Sequence, residues 1–89
     1  MLNLQFDPNK DAANLAKHGL SLADAAQFDF AAAVITVDDR HDYGEIRYRA
    51  FAEIDGQGRC LVFTVIDDGA IRAVSYRRAR AREMKPHGF

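Results

Sequence analysis

Residues 45–76, EIRYRAFAEIDGQGRCLVFTVIDDGAIRAVSY, contain the most informative pattern for the fold of this chain. Polar and apolar residues alternate over residues 45–53, which is typical of a strand with one buried face. Residues 60–66 are almost wholly apolar, as in a central strand covered on both faces, and residues 71–76 form a third candidate strand. Turn sequences rich in Asp and Gly separate the three runs. The segment therefore predicts an antiparallel three-stranded meander.

The preceding residues predict four further elements. Residues 2–6 alternate as a short strand. Asp7 is a good N-cap and is followed by Pro, so a helix is predicted over residues 8–17. A sequence resembling a capping box predicts a second short helix over residues 22–28. The β-branched run at residues 34–37 predicts another strand.

The last element is a short basic helix over residues 77–84, which Pro86 should end. The order is β-α-α-β-β-β-β-α, which is an α+β fold built on an antiparallel meander. Residues 1–89 contain no repeat or linker composition, so one domain is predicted. We expect the two early helices to cover one face of the sheet and the other face to remain partly open. The predicted core consists of Leu15, Leu22, Phe28, Leu61, Phe63 and Val65.

Composition narrows the class of protein. With 89 residues, of which 48% are hydrophobic and 28% charged, the chain has the composition of a folded globular domain. Cys60 is the single cysteine and no Cys/His pair has metal-site spacing, so neither a disulfide nor a metal cofactor is expected. No signal-peptide pattern and no apolar run of about 18 residues is present, so we expect a cytoplasmic protein with no membrane association.

The charge is distributed unevenly along the chain. Residues 1–70 contain six basic and twelve acidic side chains, whereas residues 71–89 contain six basic and one acidic, a balance of +5. Nine of the twelve basic residues are Arg, whose planar guanidinium binds phosphate with two parallel hydrogen bonds. The basic C-terminal end therefore favours nucleic acid or an acidic protein as a partner.

Three groups of residues, in this order and spacing, resemble the BrnT toxins over nearly the whole chain. They are Phe6-Asp7-Pro8-Asn9-Lys10 with Asn14 and Lys17-His18-Gly19; Arg40-His41 with Tyr43-Gly44-Glu45-Ile46-Arg47; and Ile71-Arg72 with Ser75-Tyr76-Arg77-Arg78-Ala79 and Glu83. The resemblance implies a RelE-like ribonuclease fold and the toxin role in a type II toxin–antitoxin system. It also implies neutralisation by a BrnA-like ribbon-helix-helix antitoxin, through which alone the complex would bind DNA.

Four residues are candidates for catalysis. RNA cleavage without a metal requires a base for the 2′-hydroxyl proton, cations that stabilise the transition-state phosphate and an acid for the leaving oxygen. Arg77 is the first candidate for the cationic role, at the predicted junction of strand and helix, and Arg47 is the second. His41 and Glu45 are the acid–base candidates, and an ordinary solvated loop histidine is the favoured alternative for His41. A solvated arginine face, a contact to the acids of an antitoxin, or a cross-strand pair of Glu45 with Arg are the alternatives.

Other basic residues are predicted to bind RNA. His18 is also an acid–base candidate, but capping of the last carbonyls fully explains its position at a helix end, and this favours a structural role. Lys10 in the first helical turn can contact phosphate or be simply solvated. Four further residues are assigned to structure, namely Asp7, Pro8, Asn14 and Gly19. The predicted RNA-binding set is Lys10, Lys17, His18, Arg72, Arg78, Arg80 and Arg82.

Two functions from different classes follow. The first is a metal-independent ribonuclease toxin that cleaves RNA, inhibits translation and is held by its antitoxin. The second is a non-catalytic module whose basic end binds RNA or an acidic protein. Only the first predicts growth arrest on expression and RNA fragments in vitro.

Overall fold

A mixed five-stranded sheet is the centre of the fold. The computed structural model describes residues 3–40, 42–67 and 69–89. The strands are β1 (Asn3–Gln5), β2 (Val34–Asp38), β3 (Arg47–Ile54), β4 (Gln57–Asp67) and β5 (Ala70–Arg78). The helices are α1 (Pro8–His18) and α2 (Ala81–Met84), with a first 3₁₀ helix at Leu22–Gln27 and a second at Lys85–His87. No helix within these residues is both long and apolar enough to cross a membrane.

The predicted meander is present, but the sheet is not wholly antiparallel. Strands β2 to β5 pair antiparallel in sequence order, whereas β1 pairs parallel with β5 in the sheet order β1-β5-β4-β3-β2. Strand β1 pairs with the outer edge of β5, because β4 occupies the inner edge. The backbone N–H of Asn3 donates to the carbonyl of Gly69 at 2.7 Å, which fixes the start of β1 beside the start of β5. Alternation predicted the strand but not its partner.

The segment 77–84 is not the predicted helix. Strand β5 continues to Arg78, because Arg77 and Arg78 pair with Cys60 and Arg59 of β4. Helix α2 begins only at Ala81 and has four residues, and Pro86 lies inside the second 3₁₀ helix that follows directly. The second predicted helix is likewise a 3₁₀ helix. Ladder hydrogen bonds in the sheet outweigh the helix propensity of residues 77 and 78.

Helix α1 lies along an edge of the sheet rather than on its face. Asn14 is its buried residue, and its amide donates to the carbonyls of Tyr76 and Leu20, both at 2.8 Å. The Asn14 side-chain oxygen also accepts from the N–H of Tyr76 at 3.1 Å. Asn14 thereby occupies the edge of β5 beyond β1, which confirms its structural role. Leu15 is 51% exposed, so its predicted place in the core is wrong.

The main core lies between the sheet and the segment that contains the first 3₁₀ helix. Leu22, Phe28, Leu61 and Phe63 are buried there as predicted. Phe63 packs edge to face against Phe30, with ring centroids 5.6 Å apart. Val65 lies outside this cluster and is 53% exposed, contrary to the prediction. It is two residues further along β4, between two irregularities in the pairing with β5.

We expect Phe63→Ala to lower the free energy of unfolding by about 3 to 5 kcal/mol, because it leaves a cavity among aromatic rings. Val65→Ala is the matched control on the same strand, and it should cost less than about 1 kcal/mol because Val65 is half-exposed. Urea unfolding followed by circular dichroism measures both. Equal midpoints for the two variants would contradict this core.

Candidate active site

The face of the sheet opposite the core carries the arginines. In the strand register, Arg49 of β3 stands beside Val62 of β4 and Ser75 of β5. The adjacent row contains Phe51, Cys60 and Arg77. Because successive residues of a strand point to opposite faces, Arg47, Arg49 and Phe51 share one face, as the alternation predicts. Rigid strands therefore position these side chains.

A groove of about 220 Å³ runs over this face. It contains the predicted residues Arg47, Arg77, Lys17 and His18. The last two reach it from the end of α1. The groove is lined by Lys17, His18, Asp38, Arg40, Tyr43, Arg47, Arg49, Cys60, Val62, Val74, Ser75 and Arg77.

The C-terminal residues cover the rest of this face. Phe51 and Cys60 form a second buried cluster with Ala79 and Met84, and the His87 ring stacks on Phe51 with centroids 4.2 Å apart. Burial raises the pKa of the Cys60 thiol, which disfavours a reactive thiolate. The packing of this cluster fixes α2 at one end of the groove.

Arg77 is held by Glu83 of α2. Its Nη1 and Nη2 donate to the two carboxylate oxygens of Glu83 at 3.1 and 2.8 Å, and Nη1 also donates to the carbonyl of Arg78. Hydrogen bonding to Arg77 lowers the pKa of Glu83 to about 2, from the usual 4.5. The pair therefore stabilises the fold above about pH 4.5, and this contribution is lost as the pH falls through about 2.

The arrangement of Arg77 leaves part of its guanidinium available. A guanidinium has five N–H groups, and the contacts to Glu83 and Arg78 use three of them. The Nε–H and one Nη2 hydrogen have no acceptor among the residues that the structure describes. Together they form a second fork on the side of the guanidinium away from Glu83, suited to two oxygens of one phosphate.

A second ion pair stands at the end of β2. The Nε and Nη2 of Arg40 donate to the two oxygens of Asp38, each at 2.8 Å, and the hydroxyl of Tyr43 donates to Asp38 at 3.3 Å. The Asp38 side chain is 1% exposed and that of Arg40 is 53% exposed. Hydrogen bonds from Arg40 hold the pKa of Asp38 well below its usual range, so the buried carboxylate remains charged.

Arg47 and Arg49 lie between these two pairs on β3. The guanidinium carbon of Arg47 is 4.1 Å from the ring centroid of Tyr43, and its Nε is 3.7 Å from the Glu45 carboxylate. Arg49 makes no ion pair with any described residue. The Nε atoms of both arginines are buried without a hydrogen-bond partner in the part of the chain that the structure covers. Buried donors of this kind are costly unless a ligand satisfies them.

Among the described residues, His18 is the imidazole that lines the groove. Partial burial lowers its pKa, and the charges of Lys17 and Arg77 lower it further. The imidazole is therefore mainly neutral at pH 7 and able to accept a proton. Its capping role is filled by others, since the N–H of Gly19 donates to Leu15 and Arg78 Nη1 donates to the His18 carbonyl at 3.3 Å.

Several predicted site residues lie elsewhere. Glu45 does not line the groove but contacts it through Arg47. His41 lies outside the described residues. Arg78 binds the end of α1, and the N–H of Arg80 donates to Glu83 at 3.1 Å. The RNA-binding residues outside the groove lining, whose predicted role stays a prediction, are Lys10, Arg72, Arg78, Arg80 and Arg82.

Two groove arginines were missing from the predicted site. Arg49 could have been found, because it stands two residues after Arg47 in an alternating strand and so shares its face. Arg40 belongs to the second group of family-like residues, but the Asp-rich sequence around it is typical of an ordinary turn, so no site role was predicted for it. In the described ranges, no three His, Cys, Asp or Glu side chains are grouped closely enough to hold a metal ion.

The fold and the groove define a small α+β protein with a site suited to a phosphate-containing polymer. A family model described as "Ribonuclease toxin, BrnT, of type II toxin-antitoxin system" matches residues 6–83. The chain therefore belongs to the BrnT family of ribonuclease toxins, and membership implies an antitoxin partner.

A solved structure agrees with this membership. The chain is similar to the 1.1 Å crystal structure of the Brucella abortus ribonuclease toxin BrnT, with 27% sequence identity and a TM-score of 0.71. The match covers 90% of this chain and 99% of the Brucella protein. A comparison with curated protein sequences gives no match.

Proposed function

We propose that this chain is a metal-independent endoribonuclease that cleaves RNA and thereby inhibits translation. The supporting observation is the convergence of a neutral imidazole, His18, with Arg77 and Arg49 in one groove. The family membership and the similarity to the Brucella ribonuclease toxin support the same reaction class. We also propose that the fold is RelE-like.

The proposed reaction begins with proton removal. His18 takes the proton of a ribose 2′-hydroxyl, and the 2′ oxygen attacks the adjacent phosphorus. A bond from the 2′ oxygen to phosphorus forms as the bond to the 5′ oxygen breaks. Lys17 lines the same groove and its ammonium supplies the proton for the leaving 5′ oxygen. The products are a 2′,3′-cyclic phosphate and a 5′-hydroxyl.

Arg77 stabilises the transition state in this proposal. Its free Nε and Nη2 fork donates to the non-bridging oxygens of the phosphate, where negative charge increases during attack. Glu83 holds the other side of the guanidinium, so no rotamer search is needed when the substrate binds. Arg47 adds positive charge, while Glu45 holds Arg47 in place rather than acting as the base.

The proposed partner is a BrnA-like ribbon-helix-helix antitoxin. Its acidic residues would bind the groove arginines and exclude RNA, and DNA binding would belong to the antitoxin within the complex. A non-catalytic binding module is the second candidate. It is favoured by the pairing of Arg40 and Arg77 with acids in the free chain, since such fixed guanidinium groups are also effective docking contacts.

We expect induced expression of this chain to arrest bacterial growth, and co-expression of its antitoxin to relieve the arrest. Lys85→Ala removes one exposed cation outside the groove and should arrest growth as the wild type does. Colony counts and translation rates after induction measure the effect. Normal growth while soluble, folded protein accumulates would favour the binding module.

A further inference from the structure

Arg40 presents part of its guanidinium to the groove. Asp38 binds its Nε and Nη2, which is the side of the guanidinium opposite to that used by Glu83 on Arg77. Asp38 uses two of the five guanidinium hydrogens of Arg40, and the Tyr43 hydroxyl is a further hydrogen-bond partner. Arg40 is half-exposed and lines the groove, so its remaining hydrogens are available to a second anion.

The guanidinium groups of Arg40 and Arg77 reach the groove from opposite sides. Arg77 lies in β5, and Arg40 follows the end of β2. The sheet order separates the axes of these strands by three inter-strand spacings, about 14 Å. The long side chains of Arg40 and Arg77 extend into the groove between them, where the charge of Arg40 acts on Arg77. Arg49, whose buried Nε has no partner within the described residues, lies on β3 between them. Arg77 and Arg40 therefore enter the groove from two sides, an arrangement that suits two phosphates of one extended strand better than a single phosphate.

Asp38 connects the residues around Arg40. Its carboxylate binds Arg40 with two hydrogen bonds and accepts from the hydroxyl of Tyr43, whose ring contacts the Arg47 guanidinium. A buried charged carboxylate is retained at a cost in desolvation, and here three of the four hydrogen bonds that it accepts from described residues come from one exposed arginine. The carboxylate itself is too buried to contact a polymer.

We propose that Arg40 forms a second phosphate subsite for single-stranded RNA, distinct from that of Arg77, and that Asp38 is its positioning residue. The identity of the ligand as RNA rests on the proposed function, but the subsite is tested by binding without cleavage. The probe is a short, unstructured, fully 2′-O-methylated RNA, which lacks the attacking hydroxyl. Its affinity is measured by fluorescence anisotropy over a range of salt concentrations.

Arg40→Ala should weaken binding of this probe by about tenfold, as loss of a charge-assisted contact does. The slope of log affinity against log salt should fall by about 0.7, corresponding to one phosphate contact on a single strand. Lys85→Ala removes the same charge outside the groove and should change the affinity less than twofold. An Arg40→Ala affinity equal to that of Lys85→Ala would overturn the subsite.

Asp38→Asn separates positioning from simple charge. The substitution makes the protein more positive, so charge alone predicts tighter binding of a polyanion. If Asp38 positions Arg40, binding should weaken despite the added charge. A folded Asp38→Asn variant that binds more tightly would overturn the positioning role.

Asp38 is buried, so its variant can fail to fold. In that case Arg40→Lys tests whether the geometry of the Arg40 guanidinium matters for binding. It keeps the charge and the salt slope but loses the fork, so affinity should still fall several-fold. Wild-type affinity in Arg40→Lys would overturn the role of the fork. If the wild-type chain cleaves RNA and Arg40→Ala binds the probe normally, the subsite alone is overturned. If binding of the probe depends on Arg40 but the wild-type chain cleaves no RNA, the proposed function alone is overturned.

Discussion

Arg77→Ala should lower the rate of RNA cleavage by about 100-fold or more while leaving the chain folded. The free fork of Arg77 is preorganised by Glu83, and loss of one preorganised donor to developing charge typically has an effect of this size. The ion pair is about one-third exposed, so the melting temperature should fall by only a few degrees. Single-turnover cleavage at saturating protein measures the chemical step without a limit from binding.

Arg77→Lys and Lys85→Ala are the matched variants for this prediction. Lysine restores the charge without the two-pronged geometry, so most of the loss should persist. Lys85→Ala should cleave at the wild-type rate. If Arg77→Ala also cleaved at the wild-type rate under saturation, Arg77 would be a binding residue, and the transition-state role would pass to Arg47 or Arg49.

His18→Gln should reduce the cleavage rate by about 100-fold or more, because removal of a general base typically has this effect. The direction in which the cleavage rate changes with pH follows from the pKa of His18. Nearby cations and partial burial lower the pKa of His18, so the wild-type rate should be constant around pH 7 and decline only below the usual histidine value of about 6.5. Gln cannot titrate, so its residual rate should lack this acid limb.

Single-turnover rates from about pH 5 to 8 test the role of His18. Binding of the 2′-O-methyl probe serves as the control, since neutral His18 adds little to phosphate affinity. A His18→Gln variant with an unchanged rate and an unchanged acid limb would contradict the assignment. Glu45→Gln then becomes the next variant to examine.

The sequence predicts the meander because each strand and turn there carries its own local signal. Alternation and Asp-Gly turns specify β3, β4 and β5 without reference to the rest of the chain. The parallel pairing of β1 depends on which sheet edge remains free, and the exposure of Leu15 depends on Asn14 bonding to a strand 62 residues away. Neither relationship has a local signature.

The site could be predicted in part for the same reason. Arg47 and Arg77 were found because of their residue type and the family resemblance. The strand pairing that extends β5 to Arg78 changes what holds Arg77, since its backbone is fixed by the sheet and its side chain by Glu83. The role of Asp38 arises only when folding buries its carboxylate, so no sequence pattern distinguished it from a turn residue.

Cleavage of RNA by the purified chain in excess chelator tests whether the chain is a metal-independent ribonuclease. We expect wild type and Lys85→Ala to form fragments that end in 2′,3′-cyclic phosphate and begin with a 5′-hydroxyl, and Arg77→Ala and His18→Gln to form far fewer. Folded wild-type protein that bound the RNA and left it intact would contradict ribonuclease activity, and equal rates for all four proteins would contradict the roles of Arg77 and His18.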